Sequence, residues 1–229
     1  MKKILVVLTN IDHYGNSDVK TGLWLSEATD FVDIMQGEDF LIDYISPKGG
    51  RVPLDPVGMS FATERDLEIL NSKDFQERAI QNSLTPSDVN PKDYAAIYYT
   101  GGHGVMWDFA KNEALDKLAL EIYKNDGFIT SVCHGVAGLL WMKDKKGNYF
   151  IKDKEITGFT DQEEILSKKE MLVPFSNEKV GKENEAKFII ESPFKPFVVK
   201  DDRIITGQNP QSAKLVAEWL LNELTKNND

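Results

Sequence analysis

The sequence predicts an α/β fold, with a doubly wound, mostly parallel sheet and helices on both faces. Two observations lead to this prediction. Short apolar segments alternate along the chain with longer segments whose apolar residues have helical spacing. The short segments are also continuously apolar rather than alternating, as expected for strands that are covered on both faces.

Four short segments are predicted to be strands, and three longer segments are predicted to be helices. The strands are residues 3–9, 40–46, 95–100 and 127–133. The helices are residues 21–37, 108–126 and 212–224. Asn209 and Pro210 are suitable as the N-cap and first residue of the last helix. Its apolar stripe is Ala217, Leu220, Leu221 and Leu224.

The alternation of strands and helices is interrupted over residues 47–93. This segment begins rich in Gly and Pro and continues with polar helical patterns, one of which Thr85 and Pro86 could start. We predict an inserted, lid-like segment packed over one edge of the sheet. Residues 171–205 are predicted to be a second elaboration, and the whole chain, residues 1–229, is expected to form one domain.

Charge and composition limit the classes of partner. The chain has 229 residues and a formal net charge of -10, which disfavours nucleic acid and anionic membranes. The apolar run at its start is too short for a signal peptide, and no segment approaches the roughly 20 apolar residues of a membrane span. A single cysteine cannot form an intrachain disulfide, so a reducing, cytoplasmic location is expected.

That cysteine, Cys133, lies at a predicted strand-to-helix turn in the stretch SVCHGVAGLL. Ser131 and Gly135 flank it at two residues on either side, which is the spacing of small residues in a nucleophile elbow. The N-terminus of the following helix is expected to lower the pKa of the thiol. A buried, inert thiol is the alternative. The strand end, the small neighbours and the adjacent His134 favour a nucleophile.

A second strand end runs into a glycine-rich loop, Gly101-Gly102-His103-Gly104. Glycines at such a place allow backbone N–H groups to approach a ligand, as in an oxyanion hole, although most such loops are only turns. The loop lacks the glycine spacings of nucleotide-binding motifs, so no nucleotide site is predicted.

Glu27 shares the apolar stripe of the first predicted helix with Trp24, Ala28, Phe31 and Met35. A carboxyl group that faces a core is costly unless it is protonated or hydrogen-bonded, so Glu27 is a candidate acid/base. The alternative is a carboxylate at the edge of the stripe that reaches solvent.

Three acidic residues follow another short predicted strand, and any of them could orient His134. They are Asp161, Glu163 and Glu164. The histidines, at positions 13, 103 and 134, are far apart, and no cluster has the spacing of metal ligands. No metal site is therefore predicted.

Taken together, these stretches resemble the class I glutamine amidotransferase-like superfamily, which includes the PfpI-like proteases. Within it, the chain is most similar to the heat-shock-chaperone branch, the glutathione-independent glyoxalases (glyoxalase III). The similarity spans nearly the whole chain and is carried by TGLWLSEA, PLDP, TGGHGVMWD, SVCHGVAGLL, ITGFTDQEE and TGQNPQSA. It implies a flavodoxin-like sandwich, a homodimer and no cofactor.

The resemblance also implies roles for individual residues. Cys133 matches the nucleophile, His134 its neighbouring catalytic histidine, and Glu27 the buried glutamate beside the thiol. Glu164 matches the acid that supports the histidine, with Glu163 as its rival. The oxyanion hole is implied at the backbone N–H groups of Gly102 and His134. Substrate contacts are expected from the remaining loop residues, His103 and Gly104, and from Trp24, with Trp107 as a second pocket wall.

The implied reaction converts methylglyoxal and related 2-oxoaldehydes to lactate and other 2-hydroxy acids through a hemithioacetal on Cys133. Three alternatives stay open at this point. They are a protein deglycase or other hydrolase, a holdase chaperone, and a redox-sensing thiol. The sequence shows no exposed apolar patch that would mark a holdase.

Overall fold

The structure, a computed structural model, describes residues 3–38 and 40–226. Over these residues the main sheet has six strands: β1 Lys3–Val7, β2 Ile42–Ile45, β3 Tyr94–Tyr99, β4 Phe128–Val132, β7 Val198–Asp201 and β8 Ile204–Gly207. Their order is β2-β1-β3-β4-β8-β7, and only β7 runs antiparallel to its neighbour. A separate pair of short strands, β5 Glu155–Ile156 and β6 Lys187–Phe188, lies outside this sheet. The predicted mostly parallel sheet is confirmed.

Helices cover both faces of the sheet. The described helices are α1 Leu25–Gly37, α2 Pro56–Ser60, α3 Glu64–Asn71, α4 Val105–Asp108, α5 Glu113–Lys124, α6 Ala137–Leu140, α7 Asp161–Leu166, α8 Asn177–Glu183 and α9 Ala213–Lys226. Alternate residues of β1 show the two layers, because Ile4 and Val6 pack with α1 and α9 while Leu5 and Val7 pack with α5. The predicted doubly wound arrangement follows. No described helix is long and apolar enough to cross a membrane.

Two predicted helices begin later than expected. Residues 21–24 are extended, and the Leu23 N–H donates to the Pro53 carbonyl oxygen at 2.8 Å, so α1 begins at Leu25. The side chain of Asn112 accepts from the N–H groups of Ala114 and Leu115, so α5 begins at Glu113. Local capping and pairing override the apolar periodicity at both places.

The segment 171–205 is only in part an elaboration. It contains α8 and β6, but also β7 and the start of β8, which belong to the main sheet. These two strands are four residues long each, with a turn between them. Strands this short give little periodic signal in the sequence.

The insertion, residues 47–93, packs along the β2 edge as predicted. The Leu84 N–H donates to the Tyr44 carbonyl oxygen at 2.9 Å. Asn10, after β1, holds the start of the insertion: its Nδ2 donates to the carbonyl oxygens of Gly49 and Arg51, and its Oδ1 accepts from the Lys48 N–H. The assignment of residues 1–229 to one domain stays a prediction.

Candidate functional site

Cys133 starts a 3₁₀-helical turn directly after β4, and its φ angle is 57°. A non-glycine residue in this left-handed region costs about 1–3 kcal/mol, which the surrounding packing must outweigh. Gly135 permits the turn, because a Cβ atom there would lie 2.4 Å from the Tyr99 carbonyl oxygen. The sulfur therefore lies at the carboxyl edge of the parallel sheet, where ligands of α/β folds bind.

A chain of polar contacts leads away from this sulfur. Cys133 Sγ lies 3.3 Å from His134 Nδ1, and His134 Nε2 lies 2.8 Å from Glu164 Oε2. Burial alone would raise the pKa of Glu164, but His134 and His103 outweigh it and hold that pKa well below its usual range. An ionised carboxylate can only accept, so His134 Nε2 carries the hydrogen and Nδ1 is free to accept one. His134 thus has the tautomer that can deprotonate the thiol.

His103 shares this carboxylate with His134. Its Nε2 lies 2.7 Å from Glu164 Oε1, and the centroids of the two histidine rings are 4.0 Å apart. Burial is the largest cause that lowers the pKa of His103, and the neighbouring His134 is the second; together they bring it to about 4. His103 is therefore a neutral hydrogen-bond donor near pH 7. The expectation that the histidines are far apart is wrong for this pair. Each follows the carboxyl end of a strand, and β3 and β4 are neighbours in the sheet.

His103, His134 and Glu164 could also hold a metal ion, since one ligand atom from each lies within 4.8 Å of the others. Within residues 3–38 and 40–226, this is the one cluster of three His, Cys, Asp or Glu side chains close enough to share a metal ion. The hydrogen bonds described above already account for the proximity of these three side chains, and they leave Nδ1 of His134 directed at the thiol.

Glu27 is fully buried on the first turn of α1, beside Cys133. Burial raises the pKa of Glu27 to about 8, against the smaller, opposing effects of the Cys133 thiol and the Gly101 N–H. Within the described residues, neither carboxyl oxygen makes a hydrogen bond of regular geometry. A Cβ atom on Gly101 would lie 2.3 Å from Glu27 Oε2, so only glycine fits there. Glu27 is therefore protonated near pH 7, and the alternative of a solvent-exposed carboxylate is wrong.

The pKa of the Cys133 thiol is raised, by burial and then by the adjacent Glu27 carboxyl. The sequence predicted the opposite direction, from the N-terminus of a following helix. The backbone N–H of His134 does act in that direction. However, only a four-residue 3₁₀ turn and the four-residue α6 follow Cys133, and burial outweighs them. The resting group is a thiol that needs a base.

The other two acidic candidates have different partners. Glu163 is fully buried and accepts from the N–H and hydroxyl of Thr160, from the Phe194 N–H, and from the amide groups of Gln208 and Asn209. Asp161 is exposed and accepts from the Ser176 hydroxyl. Neither is near His134 in this network, whereas Glu164 contacts it directly.

The glycine-rich loop packs closely around the site. Gly102 has a φ angle of 94°, and a Cβ atom there would lie 2.2 Å from the Gly22 carbonyl oxygen. Gly102 and His103 line the pocket above Cys133. Gly104 instead contacts the next segment, since its Cβ would lie 2.8 Å from the Ile11 carbonyl oxygen.

A pocket of about 640 Å³ opens over Cys133 and His134. Much of its wall is aromatic: Tyr14, Trp24, Phe61, Phe159 and Phe194. Trp107, expected as a second pocket wall, is not in this lining and packs edge-on against Tyr14, with ring centroids 5.9 Å apart. The insertion contributes Asp55, Val57, Phe61, Thr63 and Asp66 to the lining. Of the aromatic residues and insertion residues that line the pocket, the pattern of the sequence singled out only Trp24, because the others are brought in by long-range packing.

Residues 19–223 match the DJ-1/PfpI family. The chain belongs to this family. Among its DJ-1/PfpI relatives, the glutathione-independent glyoxalase HSP31 of Saccharomyces cerevisiae is 33% identical over 226 residues, covering 94% of this chain and 95% of that protein. The family resemblance predicted from the motifs is confirmed.

Solved structures agree with this assignment. The crystal structure of glyoxalase III from Candida albicans has a TM-score of 0.85 and 33% identity, and covers 96% of each chain. The Rapid Encystment Protein 24 kDa of Francisella tularensis has a TM-score of 0.94 and 40% identity, and covers 98% of this chain and 99% of its own. The DJ-1/PfpI fold of the chain is thus similar over nearly its whole length to that of these proteins.

Proposed function

We propose that this DJ-1/PfpI chain is a glutathione-independent glyoxalase, which converts methylglyoxal and related 2-oxoaldehydes to 2-hydroxy acids. The observation that carries the proposal is the contact of 3.3 Å between Cys133 Sγ and His134 Nδ1, beside the buried Glu27 and below an open pocket. The names of the yeast and Candida relatives support the same reaction.

In the first step, Cys133 Sγ attacks the aldehyde carbon of methylglyoxal, and His134 Nδ1 takes the thiol proton. A carbon–sulfur bond forms, the carbonyl π electrons move to oxygen, and the Glu27 carboxyl group gives its proton to that oxygen. The products are a hemithioacetal and a Glu27 carboxylate that can accept the C1 proton. The backbone N–H groups of Gly102 and His134 are assigned to stabilise the oxyanion. Glu164 stabilises the imidazolium that forms.

In the second step, the proton on C1 moves to C2 through an enediol, which gives a lactoyl thioester. C1 is oxidised as C2 is reduced, so no external oxidant or reductant takes part. Glu27, with a pKa of about 8, suits this transfer because a group that titrates near pH 7 can both donate and accept a proton. Water then hydrolyses the thioester, releasing lactate and the free thiol.

The direct test is lactate formation from methylglyoxal in the absence of glutathione. We expect one lactate for each methylglyoxal consumed, with no added nicotinamide, thiol or metal. Consumption of methylglyoxal without lactate, at the rate seen with heat-denatured protein, would contradict the proposal.

Glu164→Gln is expected to lower the rate of lactate formation by about 10²–10⁴-fold. The side chain keeps its size, but an amide can donate as well as accept, so it no longer fixes the tautomer of His134 or balances an imidazolium charge. Steady-state kinetics at pH 7 measure the effect.

Glu163→Gln is the matched control, on the adjacent residue. Glu163 accepts five hydrogen bonds away from His134, so we expect a loss of about 2–3 kcal/mol in the free energy of unfolding and a rate within a few-fold of wild type. If instead Glu163→Gln abolished the reaction in folded protein and Glu164→Gln did not, the assignment of the two acids would be reversed.

A holdase activity is a second candidate, because three apolar side chains on and just after α7 are largely exposed. Ile165, Leu166 and Met171 are 58%, 56% and 87% exposed. Exposed apolar surface is what a holdase offers to unfolding clients. Suppression of client aggregation that persists in Cys133→Ala and is lost in Ile165→Ser/Leu166→Ser would support it.

We also propose, from the family resemblance and the single cysteine, that the protein is a cytoplasmic homodimer. Light scattering of the purified chain tests the assembly, and a monomer at micromolar concentration would contradict it.

A further inference from the structure

The pocket is much larger than methylglyoxal requires. Its volume of about 640 Å³ lies within the range of about 300–1,000 Å³ that proteins use for drug-sized ligands. Methylglyoxal has only a few non-hydrogen atoms and would occupy the part next to Cys133. The remaining space is part of the same pocket, so a substrate with a larger group could extend into it.

The start of α1 and the residue before it contribute to the pocket lining on either side of the buried Glu27. Trp24, Ser26 and Asp30 all line the pocket, and at about 1.5 Å per residue Ser26 and Asp30 are about 6 Å apart along the helix. Lys214, also in the lining, lies 3.4 Å from Asp30. An ion pair thus forms part of the lining, in addition to Cys133 and His134.

Two aromatic pairs from separate segments also line the pocket. Trp24 and Phe61 are stacked, with ring centroids 5.8 Å apart and planes inclined by 22°. Phe159 and Phe194 form an edge-to-face pair with centroids 6.2 Å apart. Phe61 is 68% exposed, although its neighbour Trp24 is half-buried. Such an uncovered ring beside a pocket offers apolar area that a flat ligand can cover.

The acidic groups of the lining are already engaged, so they offer little to a polyhydroxylated substrate. Asp55 accepts from the Thr21 hydroxyl and from two backbone N–H groups, and Asp66 accepts from the N–H and hydroxyl of Thr63. Asp30 is paired with Lys214. What the pocket offers to a substituent is aromatic surface.

We infer that Phe61, with Trp24, is a specificity-determining residue that favours 2-oxoaldehydes carrying a flat, apolar substituent over methylglyoxal. The inference rests on the proposed function. The aldehyde carbon lies at Cys133, and the substituent lies against the stacked rings of Trp24 and Phe61 in the same pocket. Phe61, on the inserted segment, therefore selects the substrate, while residues that follow the ends of β3 and β4 take part in the reaction.

The test compares phenylglyoxal, which would give mandelate, with methylglyoxal. For wild type, kcat/KM for phenylglyoxal is expected to exceed that for methylglyoxal by about tenfold. Phe61→Ala is expected to lower kcat/KM for phenylglyoxal at least about fivefold more than for methylglyoxal, and Phe61→Leu to lower it by less. The comparison of variants with wild type on each substrate removes the difference in intrinsic reactivity of the two aldehydes.

Leu41→Ala is the matched control, since Leu41 is 62% exposed but lies outside this pocket. We expect it to leave both substrates unchanged. Equal losses on both substrates in Phe61→Ala, or no preference for phenylglyoxal in wild type, would overturn the inference while leaving the glyoxalase assignment intact. If wild type formed neither lactate nor mandelate, the proposed function itself would fail, and this inference with it.

Discussion

Cys133→Ala is expected to reduce lactate formation from methylglyoxal by about 10³-fold or more, while leaving the protein folded. Cys133 is the only cysteine of the chain, and no other group could form the hemithioacetal at this turn. Losses of this size follow when a covalent nucleophile is removed and only binding and oxyanion stabilisation are left. Lactate release under saturating methylglyoxal measures the effect, and circular dichroism checks the fold.

One further variant shows whether the sulfur itself is needed, and a second serves as its control. Cys133→Ser keeps a hydroxyl of nearly the same size, but a hydroxyl is far less acidic than a thiol, so we expect it to be inactive too. Ser131→Ala changes a buried side chain two residues earlier on β4, whose Oγ has no hydrogen-bond partner within the described residues. We expect that control to keep full activity. Activity above about a tenth of wild type in Cys133→Ala would rule out Cys133 as the nucleophile.

The parts of the site that depend on strand ends were predictable from sequence. Cys133 and the loop at Gly102 each follow a continuous apolar strand, and parallel strands bring such ends to one edge of a sheet. Glu27 was predictable in position, because its place on an apolar stripe put a carboxyl group in the core. Local periodicity carries this information.

The other features of the site depend on long-range packing and could not be predicted from local sequence. That His103 and His134 share Glu164 depends on β3 lying beside β4 and on α7 folding over both, and no spacing in the sequence records this. The direction of the thiol pKa was predicted wrongly for a related reason. The expected helix effect is local, whereas burial and the Glu27 carboxyl come from elsewhere in the fold.

Glu27→Gln is expected to remove a pH dependence of stability. The pKa of Glu27 is about 8 in the folded protein, against an ordinary value of 4.5, so between these pH values the folded state binds a proton that the unfolded state lacks. The free energy of unfolding therefore falls by about 5 kcal/mol as pH rises through this window. Above about pH 8, Glu27 contributes no further change, because it is ionised in both states. Glutamine does not titrate. Urea unfolding of both proteins from pH 5 to pH 9 measures the difference.

Comparing the two proteins removes the contributions of other buried acids. The pKa values of Asp108 and Asp116 are also raised to about 7, in both cases chiefly by burial, and both groups are present in wild type and variant alike. Relative to wild type, the Glu27→Gln variant should become steadily more stable as pH rises. An unchanged difference across the window would mean that Glu27 is ionised in the folded protein.

Asp116→Asn separates this effect on stability from catalysis. Asp116 lies on α5, on the face of the sheet opposite α1, so its replacement should flatten the pH dependence of stability without changing lactate formation. Glu27→Gln should flatten it and also slow lactate formation by about 10²-fold, because the proton transfer between C1 and C2 loses its acid/base group. The buried glutamate thus destabilises the fold as pH rises toward its pKa, and the same burial adjusts that pKa for the proton transfer.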